Sequence, residues 1–408
     1  MDTLILAVFV CVYVGMMLGR WPGLAIDRTG VALLGAIVLL ATGRVSLHEA
    51  WQAIDASTLA LLLGLMVVSA QFRLAGVYSA ITHRLAASNV SPPFLLFMLI
   101  MIAGGLSAVL ANDIVCLAMA PLLIEGCSRR GLRVLPFLLG LACAANVGSA
   151  ATLIGNPQNM LIGQRLSLSF GAYLLDGILP ATLGCVATWV VLSWQFRDCW
   201  TAPPSEVIVA APPFNHWQCA KGLLVLGSLI TLFLLGPWSR ETVALAGAAV
   251  LLMSRRMHSR EMLALVDWQL LVLFAGLFVI NHALAASSWL TTGMDQLAQT
   301  DVDVRHPAWL FGSTVVLSNL VSNVPAVMLL LPAAEHPQAG AILALASTLA
   351  GNLIIVGSIA NIIVVDQAAR LGTRIPWLEH ARSGVPITLV TLVIAAGWLW
   401  LRAASTTL

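Results

Sequence analysis

The sequence predicts an all-α polytopic membrane protein made of two inverted repeats. Each repeat is expected to hold five transmembrane helices and one re-entrant hairpin, with broken helices at the midplane. Three observations predict it. The 408 residues are 60% hydrophobic and only 9% charged, against roughly 25% charged in a soluble globular protein. Apolar stretches long enough to cross about 30 Å of hydrocarbon recur along the whole chain. A series of Asp, Gly, Asn and Pro residues in the first half returns at a near-constant offset in the second.

Composition excludes several classes. Twenty basic and 18 acidic side chains cannot clothe a soluble fold of this length in charge. The net charge of +2 comes from short loops between apolar runs, so no nucleic-acid partner is expected; the bilayer is. The seven cysteines show no C-x-x-C or ligand-like spacing, and most sit in apolar runs, where a thiol behaves as a small hydrophobe. No metal or cofactor is expected.

Element by element, Met1-Asp2-Thr3 leads into an apolar run with no basic n-region and no small-x-small site. A cleaved signal peptide is therefore not expected, and residues 4–19 form the first span. Four more follow in the first repeat (1–196) at about 24–43, 56–76, 134–166 and 171–195. The second repeat (219–408) repeats the scheme at 220–236, 241–254, 266–287, 339–370 and 384–402. Between the repeats, 197–218 carries Pro203-Pro204 and Pro212-Pro213 and is expected to be a cytoplasmic linker. Two further apolar stretches, 92–125 and 307–335, are interrupted at mid-length by Asn112-Asp113 and by Ser318-Asn319 with Ser322-Asn323. Each half is short for a crossing, so both stretches are expected to be hairpins that return to their own side.

Charge follows the same threading. Fifteen of the 20 Lys and Arg residues fall on one side, Arg20, Arg28, Arg84 and Arg129 among them. Five fall on the other: Arg44, Arg165, Arg240, Arg305 and Arg402. The positive-inside rule makes the first side cytoplasmic, so both termini are expected outside the cytoplasm, in a plasma or inner membrane.

The repeat shows in residue identities. Asp55, Gly64 and Leu65 match Asp267, Gly276 and Leu277 at an offset of 212. Ser107, Asn112 and Pro121 match Ser318, Asn323 and Pro332 at 211, and Gly155 and Asn159 match Gly357 and Asn361 at 202. Five crossings per repeat is an odd number, so the second copy must be inverted in the membrane. Such repeats supply the inward and outward states of secondary transporters.

The interruptions mark a candidate site. They are the two hairpin tips, Asn112-Asp113 and Ser322-Asn323, and two breaks in long spans. One break runs from Asn146 through Gly155-Asn156-Pro157-Gln158-Asn159, the other from Asn352 through Gly357-Ser358 to Asn361. A helix that starts in mid-membrane leaves N–H groups that lipid cannot satisfy. Asn156 before Pro157 reads as an N-cap with Pro at the first helical position. Asn112 or Asp113 is expected to cap 114–125, and Ser322 or Asn323 the segment holding Pro325. Converging half-helix N-termini attract an anion or polar solute, and unwound carbonyls can ligate a cation. A single Asn or Gly-Asn-Pro in a membrane helix is ordinarily a kink or an inter-helix contact; four such interruptions paired by the repeat point to a site.

Asp113 is the acidic residue of these interruptions, where charge costs about 2.5–3.5 kcal/mol or more. Read blandly it is a helix cap; read functionally it carries a proton or ligates a cation. Its counterpart is Val324, so a single coupled ion is expected. Asp55 and Asp267 are expected to cap their spans, Asp176 and Asp366 to be interfacial, and His282 to be a core histidine. Cys116, one turn after Asp113, is read as structural rather than as a soft-metalloid ligand.

These motifs resemble the ion transporter superfamily, which includes sodium–dicarboxylate and citrate carriers, arsenite/antimonite permeases and silicic acid efflux proteins. Ala111-Asn112-Asp113 with Pro121, and Asn146-x-Gly148-Ser149-x-x-Thr152-x-Ile154-Gly155-Asn156-Pro157-Gln158-Asn159, are similar to the first-repeat signature of the arsenite and silicic acid branch. Ser322-Asn323-x-Pro325 and Gly351-Asn352 with Gly357-Ser358-x-Ala360-Asn361 are similar to its second. The resemblance implies an elevator carrier and a homodimer. Tips reading Ala-Asn-Asp and Ser-Asn-Val, where the sodium–dicarboxylate branch has Ser-Asn-Thr, favour proton coupling through Asp113 and a small oxyacid.

The sequence thus predicts a secondary transporter for a small anion or oxyacid, coupled to protons. The alternative is a sodium-coupled citrate or dicarboxylate importer. A channel would need no coupled ion, and an intramembrane enzyme finds no support, since H-E-x-x-H and G-x-S-x-G are absent. The chain carries no G-x-x-x-x-G-K-[ST] loop for ATP.

Overall fold

The computed structural model describes residues 2–406 except 20, 22, 204–206, 211 and 301. Arg20, counted above among the cytoplasmic charges, and Pro204 of the linker lie outside the described residues. Twenty α-helices account for most of the rest. The first half opens with α1 (Thr3–Leu18), α2 (Arg28–Ala41), α3 (Leu47–Ala53), α4 (Ala56–Leu74) and α5 (Val77–Ala87). It continues with α6 (Pro92–Val109), α7 (Asn112–Arg129), α8 (Val134–Ser149), α9 (Pro157–Arg165) and α10 (Phe170–Gln195). The second half runs α11 (His216–Leu235), α12 (Arg240–Leu252), α13 (Ser259–Leu263), α14 (Trp268–Ala286) and α15 (Trp289–Ala298). After it come α16 (Pro307–Val321), α17 (Asn323–Leu330), α18 (Ala339–Ala350), α19 (Ile359–Arg370) and α20 (Trp377–Thr406). Among the described residues there is no β-strand, only an isolated bridge between Leu132 and Thr201.

Six helices have the length and hydropathy to cross a membrane: α4, α6, α10, α11, α14 and α20. The other expected spans are shorter. The first two are the 16-residue α1 and the 14-residue α2, and 241–254 becomes the 13-residue α12. The stretches 134–166 and 339–370 are each two helices separated by a break. Helix α11 begins at His216, inside the expected linker, because Asn215 accepts from Gln218 N and its own N–H bonds Ala75 O at 2.9 Å.

The starts follow from the sequence. Asp55 caps α4 by accepting from Thr58 N, and Asp267 caps α14 from Leu270 N, both at 2.9 Å, as expected. Helices α2, α4 and α5 start at 28, 56 and 77; α12, α14 and α15 start at 240, 268 and 289. Each start recurs 212 residues later.

Packing recurs as well, with partners exchanged between the halves. Helix α4 crosses α12 at Gly64, where a Cβ would stand 2.7 Å from the Ala244 backbone. Helix α14 crosses α2 at Gly276, where it would stand 2.9 Å from the Ala32 backbone. Ala32 and Ala244 are themselves 212 apart. Small residues let membrane helices approach where dispersion is the main attraction. Gly64→Leu is therefore expected to destabilise by about 1–3 kcal/mol through overpacking. Thermal melting in detergent checks this, and an unchanged midpoint would mean that this crossing does not hold the bundle.

Candidate substrate site

Both broken spans unwind at equivalent points. In the first half, 150–156 separate α8 from α9; in the second, 351–358, including a 3-10 turn at Ile355–Gly357, separate α18 from α19. Asn156 caps α9 by accepting from Asn159 N at 2.9 Å, with Pro157 at the first helical position. Ser358 caps α19 by accepting from Ala360 N at 3.2 Å. One asparagine then ties back each loop. Asn159 Nδ2 donates to Thr152 O (3.0 Å) and Ser149 O (3.4 Å). Asn361 Nδ2 donates to Ile354 O (3.3 Å) and Gly351 O (2.8 Å). Every atom in the second set is the first set's counterpart 202 residues on. Gly155 permits the fold-back, since a Cβ there would lie 2.3 Å from Ser149 O.

The two loops are joined by a second symmetric pair. Asn146, on α8, reaches the opposite half: its Nδ2 donates to Asn352 Oδ1 (2.8 Å) and Asn361 Oδ1 (3.1 Å), and its Oδ1 accepts from Ser358 Oγ (2.7 Å). Thr348, 202 residues later on α18, reaches back. Its hydroxyl accepts from Asn156 Nδ2 (3.1 Å) and Gln158 Nε2 (3.2 Å) and donates to Asn159 Oδ1 (3.3 Å). Asn146, Asn156, Asn159, Thr348, Asn352 and Asn361 are all at most 2% exposed. The result is an uncharged amide–hydroxyl cage built reciprocally by both halves.

The hairpin tips dock on it. Asn112 N–H bonds Gly155 O at 3.4 Å, the Thr152 hydroxyl donates to Ala108 O, and Ala111 N–H bonds Ser69 Oγ at 3.0 Å. At the second tip, with the Asn323 amide turned so that its nitrogen meets acceptors and its oxygen a donor, the nitrogen donates to Gly357 O (3.1 Å) and Ser347 O (3.0 Å) and the oxygen accepts from Gln158 Nε2 (3.2 Å). Tyr13 anchors this tip, its hydroxyl bridging Asn281 Oδ1 (3.0 Å) and Pro325 O (3.3 Å). Ser69 and Asn281, 212 apart, thus each serve one tip.

Two capping expectations are corrected. Helix α7 begins at Asn112 behind Ala111, and neither Asn112 nor Asp113 caps it; Ser69, from another helix, satisfies the tip instead. Ser322 precedes α17 but makes no side-chain cap, and its backbone sits at φ 77°, ψ 159°. That region is almost restricted to glycine and costs about 1–3 kcal/mol. Ser322→Gly is therefore expected to raise the melting midpoint by relieving that strain; a lower midpoint would show that the hydroxyl outweighs it.

Asp113 occupies the first turn of α7, half-buried, next to the docked Asn112. Among the described residues its carboxyl makes no hydrogen bond or ion pair. Asn112 Oδ1 is buried and also lacks a protein partner among them. Asp176 pairs with Arg402 at 2.9 Å and Asp366 with Arg370 at 2.8 Å. His282 is no core residue: it is exposed and lines two cavities of about 390 and 400 Å³. The first cavity reaches Asn281 and Met328 behind the second tip, and the second includes Arg44 and Glu49. The Glu49 carboxyl sits below its usual range because the Ser46 backbone N–H and hydroxyl hold it. Cys116 is fully buried.

The structure therefore gathers Asn146, Gly155, Asn156, Pro157, Asn159, Asn323, Asn352, Gly357, Ser358 and Asn361 at one locus, with Asn112 joined through its backbone. Sequence reading missed Thr348 and the contact roles of Ser69 and Gln158. Thr348 was recoverable from the offset of 202 that relates it to Asn146. Lys and Arg are absent from these contacts, which are made by uncharged amides, hydroxyls and backbone carbonyls.

Membrane-length apolar helices surround this cluster, and the arrangement is that of a solved membrane transporter. The structure of the Alcanivorax borkumensis YdaH transporter superposes with a TM-score of 0.59 at 15% identity, covering 98% of this chain and 97% of that one. The chain belongs to the citrate transporter family, whose model matches residues 13–350. An uncharacterized transporter of Mycobacterium tuberculosis is 28% identical, over 92% of this chain and 94% of its own length. A silicon efflux transporter of Oryza sativa subsp. japonica is 29% identical, over 91% and 92%.

Proposed function

We propose that this transporter is a proton-coupled secondary carrier of the elevator type, moving a small anion or oxyacid in the manner of arsenite or silicic acid efflux. The observation that carries the reading is the uncharged cage shared by both halves, with the Asp113 carboxyl one residue from its docked tip. Weak oxyacids present hydroxyl groups that both donate and accept, as the cage side chains do. The silicon efflux relative supports this class of solute.

In this reading the halves are inverted repeats, with α6–α7 and α16–α17 as re-entrant hairpins. The offsets of 212 and 202 and the exchanged helix pairs support it. The cage and hairpins move as a unit past α2, α4, α12 and α14. The stroke must break the contacts that tie the end of α9 to those helices: Arg165 to Asp55 at 3.0 Å, Gln164 to Glu241 at 3.0 Å, and Arg240 to Gly163 O at 2.6 Å. Four of the five basic residues on the sparser side are ion-paired (Arg44, Arg165, Arg305 and Arg402). Basic residues on both sides are ion-paired, so it is the 15-to-5 split of Lys and Arg itself that supports a plasma- or inner-membrane carrier with both termini extracytoplasmic. A homodimer is the assembly expected from the resemblance.

A second reading, a sodium-coupled citrate or dicarboxylate importer, draws on the buried, unpaired Asn112 oxygen as a cation ligand. Sealed proteoliposomes separate the two. Lumenal pH is followed while arsenite, silicic acid, citrate, succinate or phosphate is added outside, with and without sodium. Proton movement triggered by an oxyacid without sodium supports the proposal; uptake of citrate or succinate only with sodium overturns it.

A further inference from the structure

Just past the first half-helix of each broken span, the unwound backbone turns a carbonyl into the bundle: Ala150 O in the first half and Asn352 O in the second. Such groups must find a donor elsewhere, because lipid offers none. In the first half the donor is a phenol: the Tyr173 hydroxyl on α10 donates to Ala150 O at 2.8 Å and accepts from Asn159 Nδ2 at 3.2 Å. In the second half it is an imidazole: His380 Nε2 on α20 lies 3.2 Å from Asn352 O. Ala150 and Asn352 are 202 apart, the offset that relates the rest of the cage. His380 is 207 residues after Tyr173, and the glycines one turn on, Gly177 and Gly384, keep that 207. A Cβ at Gly177 would lie 2.6 Å from Ala150 O, and at Gly384 2.3 Å from Asn352 O. Tyr-x-x-x-Gly and His-x-x-x-Gly are thus two versions of one device. The glycine lets the last helix of each half press onto the break, and the aromatic donor one turn earlier takes the exposed carbonyl.

The two versions differ in what the held residue does. Ala150 has no polar side chain, whereas Asn352 carries an amide whose oxygen accepts from Asn146 inside the cage. Fixing the Asn352 carbonyl fixes the backbone from which that amide projects. A carbonyl only accepts, so His380 must hold its hydrogen on Nε2. The ring is 1% exposed, which shields the bond from competing water.

We propose that His380 is a positioning residue of the transport site, setting the Asn352 amide in the cage through its bond to the Asn352 carbonyl, as the second-half counterpart of Tyr173. This rests on the cage being the substrate site. The test compares purified His380→Phe, which deletes the donor, with His380→Tyr, which installs the first-half solution. Hydrogen exchange of the 351–358 amides reads the bond without any solute. Counterflow of arsenite, silicic acid and citrate reads the site. His380→Phe is expected to speed exchange in 351–358 and raise KM about tenfold, the scale of one net hydrogen bond, with Vmax little changed. His380→Tyr is expected to restore both. Faster exchange with a wild-type KM would make the bond purely structural and overturn the proposal. A folded His380→Tyr with a tenfold raised KM would also overturn it, and this arm decides if His380→Phe does not fold. If the wild type moves none of the three solutes, it is the proposed solute class that fails. Exchange then decides the positioning bond by itself: faster exchange in His380→Phe keeps His380 as the group that sets the Asn352 backbone, and unchanged exchange overturns it.

Discussion

Asp113→Asn is expected to leave the protein folded and to disconnect solute movement from protons. The fold has little to lose. The carboxyl makes no hydrogen bond among the described residues, and its first-turn placement on α7 gains about 0.3–1 kcal/mol from the helix dipole only when ionised. Coupling has much to lose, because Asp113 is the ionisable side chain of the docked tips, whose second-half counterpart is Val324. Linkage between two ligands on one carrier commonly amounts to a factor of about 5–150. Solute-driven proton flux should therefore drop about 10- to 100-fold in Asp113→Asn, while counterflow, which needs no net proton transfer, continues. Wild-type transport should change with pH where the variant's does not. A variant with undiminished proton flux would assign coupling to another group. Loss of counterflow together with a lower melting midpoint would reduce Asp113 to a structural acid.

What could be read from the sequence divides along a physical line. Contacts made within a few residues were legible. Asn156 with Pro157 announced its own cap, and Asp55 and Asp267 did the same, because a cap is decided by neighbours in the chain. Contacts made across the bundle were not. Asn112 reads as a cap until Ser69, from α4, supplies the oxygen that Ala111 needs. His282 reads as buried because an apolar helix gives no sign of which face borders a cavity and which borders other helices. Thr348 escaped notice because identity matching pairs Asn with Asn. The equivalence that matters is one of role, a hydroxyl in one half doing the work of an amide in the other. Tyr173 and His380 hid behind the same substitution of chemistry at corresponding places in the two halves, with a five-residue change of offset added.

Asn146→Ala is expected to be the most damaging single change in the cage, and Asn146→Thr a milder one. Asn146 makes three side-chain bonds, two donated and one accepted, to Asn352, Asn361 and Ser358. Truncation strands the Asn352 and Asn361 amide oxygens in a buried region and takes from the Ser358 hydroxyl its acceptor, leaving it only the bond from Ala360 N. Each buried polar group left unpaired costs about 1–3 kcal/mol, so the loss should reach several kcal/mol, with transport abolished at temperatures where the protein still folds. A threonine hydroxyl can donate once and accept twice, and it already fills the equivalent place at Thr348, where it faces Asn156, Gln158 and Asn159. Asn146→Thr should accordingly keep more stability than Asn146→Ala and retain measurable counterflow, which melting curves and initial rates on the same preparations will compare. Equal damage from both changes would mean that the amide's paired donors, not simply a polar group in that place, hold the two halves together. Two harmless changes would mean that the cage is not where the carrier's stability or its solute resides.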